Sequence, residues 1–149
     1  MKKIMLIVLI SFSALVFSGC AVTSNTAKVV PYHNDVNLKN FYVLHQPSDK
    51  RNIDVIISNV LKDKGYNSSS GDGSYIPDNI DTIVTYEDRW FWDITNYLIQ
   101  LNIEFRDAKD KYPYVAGESI RTSLARKSPQ EMSIEIINNL FAKINGETK

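Results

Sequence analysis

The chain has 149 residues, 17 lysines and arginines against 17 aspartates and glutamates, and a single cysteine. That length supports one domain with a modest two-layer core, and the basic residues are too dispersed among carboxylates to suit a phosphate backbone, so no nucleic-acid partner is expected. One cysteine also rules out a disulfide within the chain, which leaves packing to hold the fold.

The first twenty residues carry the strongest signal. Lys2 and Lys3 precede an apolar run from Ile4 to Phe17, which ends in the small residues Ser18 and Gly19 directly before Cys20. A run this short crosses hydrocarbon poorly, and a positive start with a small-residue end predicts a secretory signal over residues 1–19. Phe17-Ser18-Gly19-Cys20 resembles the lipobox of bacterial lipoproteins, with Phe17 standing where leucine is usual. The resemblance implies cleavage between Gly19 and Cys20 and attachment of palmitate-like acyl chains to Cys20. Each buried methylene adds about 0.8 kcal/mol of membrane affinity, so two or three long chains anchor a protein essentially permanently. The membrane is then the first partner. Ala21, where an aspartate would retain an enterobacterial lipoprotein at the inner membrane, implies an outer-membrane destination facing the periplasm if the cell has two membranes. An ordinary secretory signal or an uncleaved anchor, with Cys20 a free thiol, is the alternative. Loss of Lys2 and Lys3 gives the remaining chain a slight acidic excess.

Residues 20–37 follow as lipidated cysteine and flexible tether, without sustained periodicity. The domain is expected over residues 38–146. Phe41 to Leu44 reads as a first strand, stopped by Pro47. Ile53, Ile56, Ile57, Val60 and Leu61 share one face of a helix predicted from Lys50 to Lys64, which Ser48 or Asp49 can cap and Gly65 can end. Asn67 to Ser74 is polar and rich in serine and glycine, and is expected to be a mobile loop. Thr82 to Tyr86 is a second strand. Tyr97, Ile99, Leu101, Ile103 and Phe105 alternate with Gln100, Asn102, Glu104 and Arg106, which predicts a third strand with one wet face. Asp107 to Lys111 is a turn, and Tyr112 to Glu118 pairs back as a hairpin with Pro113 near its start. Ser128-Pro129-Gln130-Glu131 is a capping box, and the stripe from Met132 through Ile144 makes a second helix that Gly146 can stop. Two amphipathic helices need one apolar surface to cover. The expected fold is therefore α+β: a two-layer sandwich in the order β-α-β-β-β-α, with about four mainly antiparallel strands and both helices on one face.

Little in the chain points to catalysis, and no enzyme activity, metal or cofactor is expected. His33 falls in the tether and His45 at a strand end, without the paired spacings that zinc requires. A serine triad would have to bring His45 to Asp54 or Asp93 through folding. Asp72, Asp78 and Asp81 around Gly71 and Gly73 do not reproduce a calcium loop. The notable cluster is Arg89-Trp90-Phe91-Trp92-Asp93, at a junction between strands. Trp90 and Trp92 share a parity and can face the core while Phe91 points outward, or the junction can turn and expose all three rings. Rings beside an arginine suit an interface anchor; rings closing the end of a core are the other explanation.

Thr82 to Tyr86, Trp90 to Asp93, Tyr97-Leu98 and Arg106 to Lys109 together resemble a family of small uncharacterised envelope lipoproteins. In that family a tyrosine-ended strand, a tryptophan-aspartate junction and a hairpin on a D-A-K-like turn build a compact α/β domain. The shape is also similar to envelope lipoproteins that activate peptidoglycan synthases or assemble secretion channels. Both resemblances imply a non-enzymatic module that binds an envelope protein through the wet sheet face, the Trp90 region or the Asn67 to Ser74 loop. A small-ligand-binding accessory of an envelope transport system is the alternative.

Overall fold

A computed structural model describes residues 23–30 and 38–147. Cys20, Gly19, the signal and His33 lie outside the described residues. The fold of the described residues is α+β, with two helices packed on an open sheet.

Among the described residues the sheet has six strands: β1 (Ser24–Val29), β2 (Asn40–Leu44), β3 (Asn67–Gly71), β4 (Thr82–Trp92), β5 (Asn96–Asp107) and β6 (Pro113–Ile120). Their spatial order is β1-β6-β5-β4-β2-β3. The sheet is mixed, because β2 pairs parallel with both β3 and β4 while the remaining ladders are antiparallel. The expected four-stranded, mainly antiparallel sheet is thus corrected in two places. Residues 24–29, expected within the tether, form β1 on the β6 edge, and residues 67–71, expected to be a mobile loop, form edge strand β3. Neither segment carries a β-branched apolar pattern. Each is recruited by a ready-made neighbouring edge, which supplies backbone partners regardless of side chain.

Helix α1 (Ile53–Asp63) is the crossover that lets β2 and β3 run parallel. It starts three residues later than its apolar period predicts, since Asn52 adopts the left-handed conformation with φ 57°. The Asp49 carboxylate supplies the cap from outside the usual position, accepting the amides of Arg51 at 2.6 Å and Ile53 at 2.7 Å. Helix α2 (Pro129–Ile144) begins on the predicted capping box, with the Ser128 hydroxyl accepting from the Glu131 amide and the Glu131 carboxylate accepting from the Ser128 amide at 2.8 Å. Gly65 and Gly146 end the helices at φ 88° and 76°, the left-handed stops that their positions predict.

Both helices bury their stripes in one core with Phe41, Val43, Val84, Tyr86, Leu101, Ile103, Phe105 and Val115. At its margin the half-buried Tyr66 and Phe141 rings stack with centroids 4.6 Å apart, and Phe41 and Phe105 meet Phe141 edge-on. Glu135 of α2 accepts from both Arg121 and Lys127, which ties the helix to the chain leaving β6.

Helix α2 packs closely on β6 over Gly117. A Cβ there would lie 2.8 Å from Ile136 Cγ2 and 2.9 Å from Leu140 Cδ2. Gly117→Val should therefore force the helix off the sheet and lower stability by roughly 1–3 kcal/mol, measured as an earlier urea midpoint. An unchanged midpoint would show that the helix does not sit this close.

Candidate functional site

Two surfaces and one polar cluster carry the chain's chemistry. The first surface is the sheet face that the helices leave uncovered. Thr85 and Glu87 of β4 lie opposite Glu104 and Asn102 of β5, so their side chains emerge on the same side, the wet side that alternation predicts. With Thr26 and Lys28 of β1 and Glu118 of β6 they line a concavity of about 540 Å³. Two of its acids are already bonded: Arg106 Nη2 donates to Glu104 Oε2 at 2.6 Å, and Gln100 Nε2, beside the concavity, donates to Glu118 Oε2 at 2.7 Å. Mutual bonding holds these charged side chains in place and lowers the entropy lost when a partner binds them.

The second surface is the end of the β4–β5 hairpin. The expected junction is instead continuous strand, since β4 runs through to Trp92. Strict alternation breaks in β5. Arg89 lies opposite Gln100 but Trp90 lies opposite Leu98, which leaves Ile99 as the extra residue of a bulge. Parity reverses beyond it. Leu98 enters the core where Ile99 and Tyr97 are expected, and Tyr97 shares the other side with Phe91, the two rings edge to face at 6.0 Å.

The five predicted contact residues are therefore divided. Trp90 packs partly against the core, with the Arg51 guanidinium 4.0 Å over its ring and its indole N–H donating to Asp88 at 2.6 Å. Trp92 has the matching parity yet is 66% exposed, and Phe91 is 53% exposed, so neither expected arrangement of the three rings holds. Arg89 is exposed. Asp93 accepts Arg126 Nη2 on both carboxylate oxygens at 2.6 Å. The Ile94 amide and the Arg126 guanidinium hold its carboxyl below the ordinary carboxylate range.

Sequence reasoning missed Arg126, which organises this end. It also donates to Thr95 at 2.7 Å and to the Ser123 carbonyl at 3.0 Å, and lies 4.2 Å over the Tyr97 ring. One guanidinium thus clamps the hairpin tip to the 3₁₀ turn Ser123–Ala125. Ile94 and Leu124, on either side of the clamp, are 88% and 82% exposed. The signal in the sequence is two isolated apolar residues among polar ones, which means little until folding brings them together.

The polar cluster joins His45, Asp49 and Asp54, whose ligand-type atoms lie within 4.8 Å of one another. Asp49 Oδ1 accepts the Arg51 amide, while Oδ2 accepts the Ile53 amide and the Tyr86 hydroxyl, the latter at 2.8 Å. A cation would have to displace those donors, so the arrangement suits a helix cap better than a metal centre. Burial pushes the Asp49 carboxyl up, but the Arg51 amide, the Tyr86 hydroxyl and the Ile53 amide outweigh it and hold the group below its ordinary value. His45 Nδ1 meets Asp54 Oδ1 at 3.1 Å, a pairing with Asp54 and not Asp93, and that bond raises the imidazole pKa above 6.5. Elsewhere Asp81 ties the start of β2 by accepting from Asn40, and Asp72 bonds the Ser74 amide at 2.9 Å within its own turn, so both acids serve the fold.

Two predictions follow from the cluster. Asp49→Asn leaves three donors competing for one weaker acceptor and should cost about 1–3 kcal/mol in urea unfolding at neutral pH. Because the folded pKa of Asp49 is depressed, the native contribution is complete above about 3.8 and fades as pH falls through the folded value. His45 has the opposite sign. Its proton is held more tightly in the folded state, so this stabilisation is complete below pH 6.5 and is lost as pH rises through the folded pKa. The melting temperature should drop slightly between pH 6 and pH 8, and Asp54→Asn should flatten that drop; an unaltered slope would dissociate His45 from Asp54.

No protein-family model and no curated protein matches the chain. Among solved structures it is similar to the PelC dodecamer from Paraburkholderia phytofirmans, seen in two crystal forms, one of them a methionine-substituted variant. The variant gives 12% identity and a TM-score of 0.54 over 83% of this chain and 97% of that one. The other gives 11% identity and a TM-score of 0.52 over the same shares. A PDZ domain protein from Parabacteroides distasonis matches at 14% identity and a TM-score of 0.49, over 95% of this chain and 40% of its own. At such identities the PelC likeness is one of fold.

Proposed function

We propose that the chain is a lipid-anchored, non-enzymatic envelope module that presents the uncovered face of its sheet to an envelope protein, with Cys20 as the acylated residue. The observation that carries this reading is the dished, polar face of β1, β6, β5 and β4, which lies opposite the helices. A sheet normally buries one face and solvates the other; here the solvated face is concave and lined with charged groups, Lys28, Glu87, Glu104 and Arg106, the last two bonded to each other. Such a surface favours a polar partner and gives specificity through charge complementarity. The signal and the lipobox-like sequence support an envelope address, and the resemblance to small envelope lipoproteins supports binding over catalysis.

The partner includes, as one option, a second copy of the chain, since the PelC neighbours are dodecamers. The volume of the concavity also favours the ligand-carrier alternative, because about 540 Å³ falls within the usual range for small-molecule sites. Its openness to solvent and its bonded charges fit a protein surface better.

The test is a photo-crosslinking residue at Glu87, on the open face, compared with one at exposed Lys62 on α1. Crosslinking in the intact envelope should give a heavier band from position 87 and none from position 62. A band at twice the protomer mass identifies a second copy. Recovery of free monomer alone from both positions would overturn the reading, and a small molecule retained in native mass spectra would favour the carrier.

A further inference from the structure

We infer that the apolar end formed by Phe91, Trp92, Ile94 and Leu124 docks on the surface of the bilayer that holds the acyl chains of Cys20. The inference rests on the anchoring proposed above, and adds a second contact between the domain and that membrane. Its basis is strand register. Ser24, the first residue of β1, lies opposite Ile120; Ile120 lies opposite Gln100; and Gln100 lies opposite Arg89. These four residues form one row across the sheet. On the side of that row toward which β1 begins lie the hairpin end from Trp90 to Asn96 and the turn that follows β6.

Cys20 precedes Ser24 by four residues, so the lipid attachment point lies no more than about 14 Å from the row, whatever path the chain takes. Asn96 precedes Gln100 by the same number along β5, so the hairpin end extends about 13 Å or slightly less past the row. Only two strand spacings, about 10 Å, separate β1 from β5. The acylated residue is therefore within reach of the apolar end, and cannot stand farther from the row than about 14 Å. A seventeen-residue tether would have allowed several times that distance, whereas pairing of β1 with β6 shortens it to four residues.

The chemistry of this end fits a lipid interface. Four of the nine large apolar side chains exposed among the described residues are here, Trp92 at 66%, Ile94 at 88%, Leu124 at 82% and Phe91 at 53% exposed. Exposed rings and aliphatic side chains on a clamped hairpin lose little entropy on insertion, and tryptophan favours the headgroup level. The Arg126 clamp to Asp93, Thr95 and Ser123 holds Ile94 and Leu124 on the same end before any membrane is met.

The test uses the full chain, expressed in a lipoprotein-processing bacterium, purified in detergent and checked for acyl mass. It is reconstituted into phosphatidylethanolamine–phosphatidylglycerol vesicles with or without brominated phosphatidylcholine. Trp90→Phe leaves Trp92 as the sole indole; the unsubstituted protein, with Trp90 as background, carries the measurement if that variant does not fold. Blue-shifted emission that is quenched by brominated chains and protected from aqueous acrylamide is expected. Acylated protein whose Trp92 emits as in water, is open to acrylamide and is indifferent to bromine would overturn docking while leaving the anchor intact. Loss of acrylamide access without bromine quenching would assign the patch to a second copy or another protein, and also overturns it. Protein without acyl mass would overturn the anchor, and docking with it.

Discussion

The sheet is covered on one side only, and everything else in the molecule depends on which side chains that constraint sends to each face. From Phe105 to Leu101, strand β5 delivers alternate residues to the helices and leaves Glu104 and Asn102 outside. The bulge at Ile99 then reverses the assignment. One extra residue turns Leu98 inward, leaves Trp90 half covered and puts Phe91 and Tyr97 on the opposite side. Without the bulge, Tyr97 and Ile99 would continue the core face and the hairpin end would carry a different set of exposed groups. Bulges recur where a strand must re-aim its side chains. Here the re-aimed residues are Tyr97 and Leu98 of β5, which lie opposite Phe91 and Trp90.

The covered side is held by close approach and by aromatic packing. Gly117 lets α2 sit directly on β6, and the stacked Tyr66–Phe141 pair with Phe41 and Phe105 joins the end of α1, α2 and two strands in one cluster. Polar groups fix the remaining freedom. Asp49 sets where α1 begins and ties that start to Tyr86 in the middle of the sheet, so the helix cap and the core share one carboxylate. A cluster of histidine and acids can thus be structural: its oxygens are occupied by amides and a hydroxyl before any ligand arrives.

The two outward surfaces differ in chemistry in a way that suits separate roles. The open face is concave and rich in charged groups, with Arg106 paired to Glu104, whereas the hairpin end is apolar around the Arg126–Asp93 ion pair. On the proposed reading, a module with its apolar end against the bilayer leaves the open face uncovered for a protein partner. Anchoring and partner binding would then be set by the same sheet, through its length and its uncovered face.

Local order was legible where the cause was local. The capping box at Ser128, the glycine stops at positions 65 and 146, the apolar stripes of both helices and the wet face through Asn102 and Glu104 follow from spacing alone, because each depends on residues a few positions apart. The strands at 24–29 and 67–71 were not legible: their side chains favour no sheet, and they form because β6 and β2 offer unpaired edges. The bulge has no mark in an unbroken alternating run, and Arg126 reaches its partners across 31 and 33 residues. Sequence by itself determined the class of the domain, its helices and its lipobox-like N-terminal motif. Tertiary structure alone decided which rings are exposed, what lies beside them and how close Ser24 stands to that end, since register and edge pairing are settled only when distant segments compete for the same hydrogen bonds.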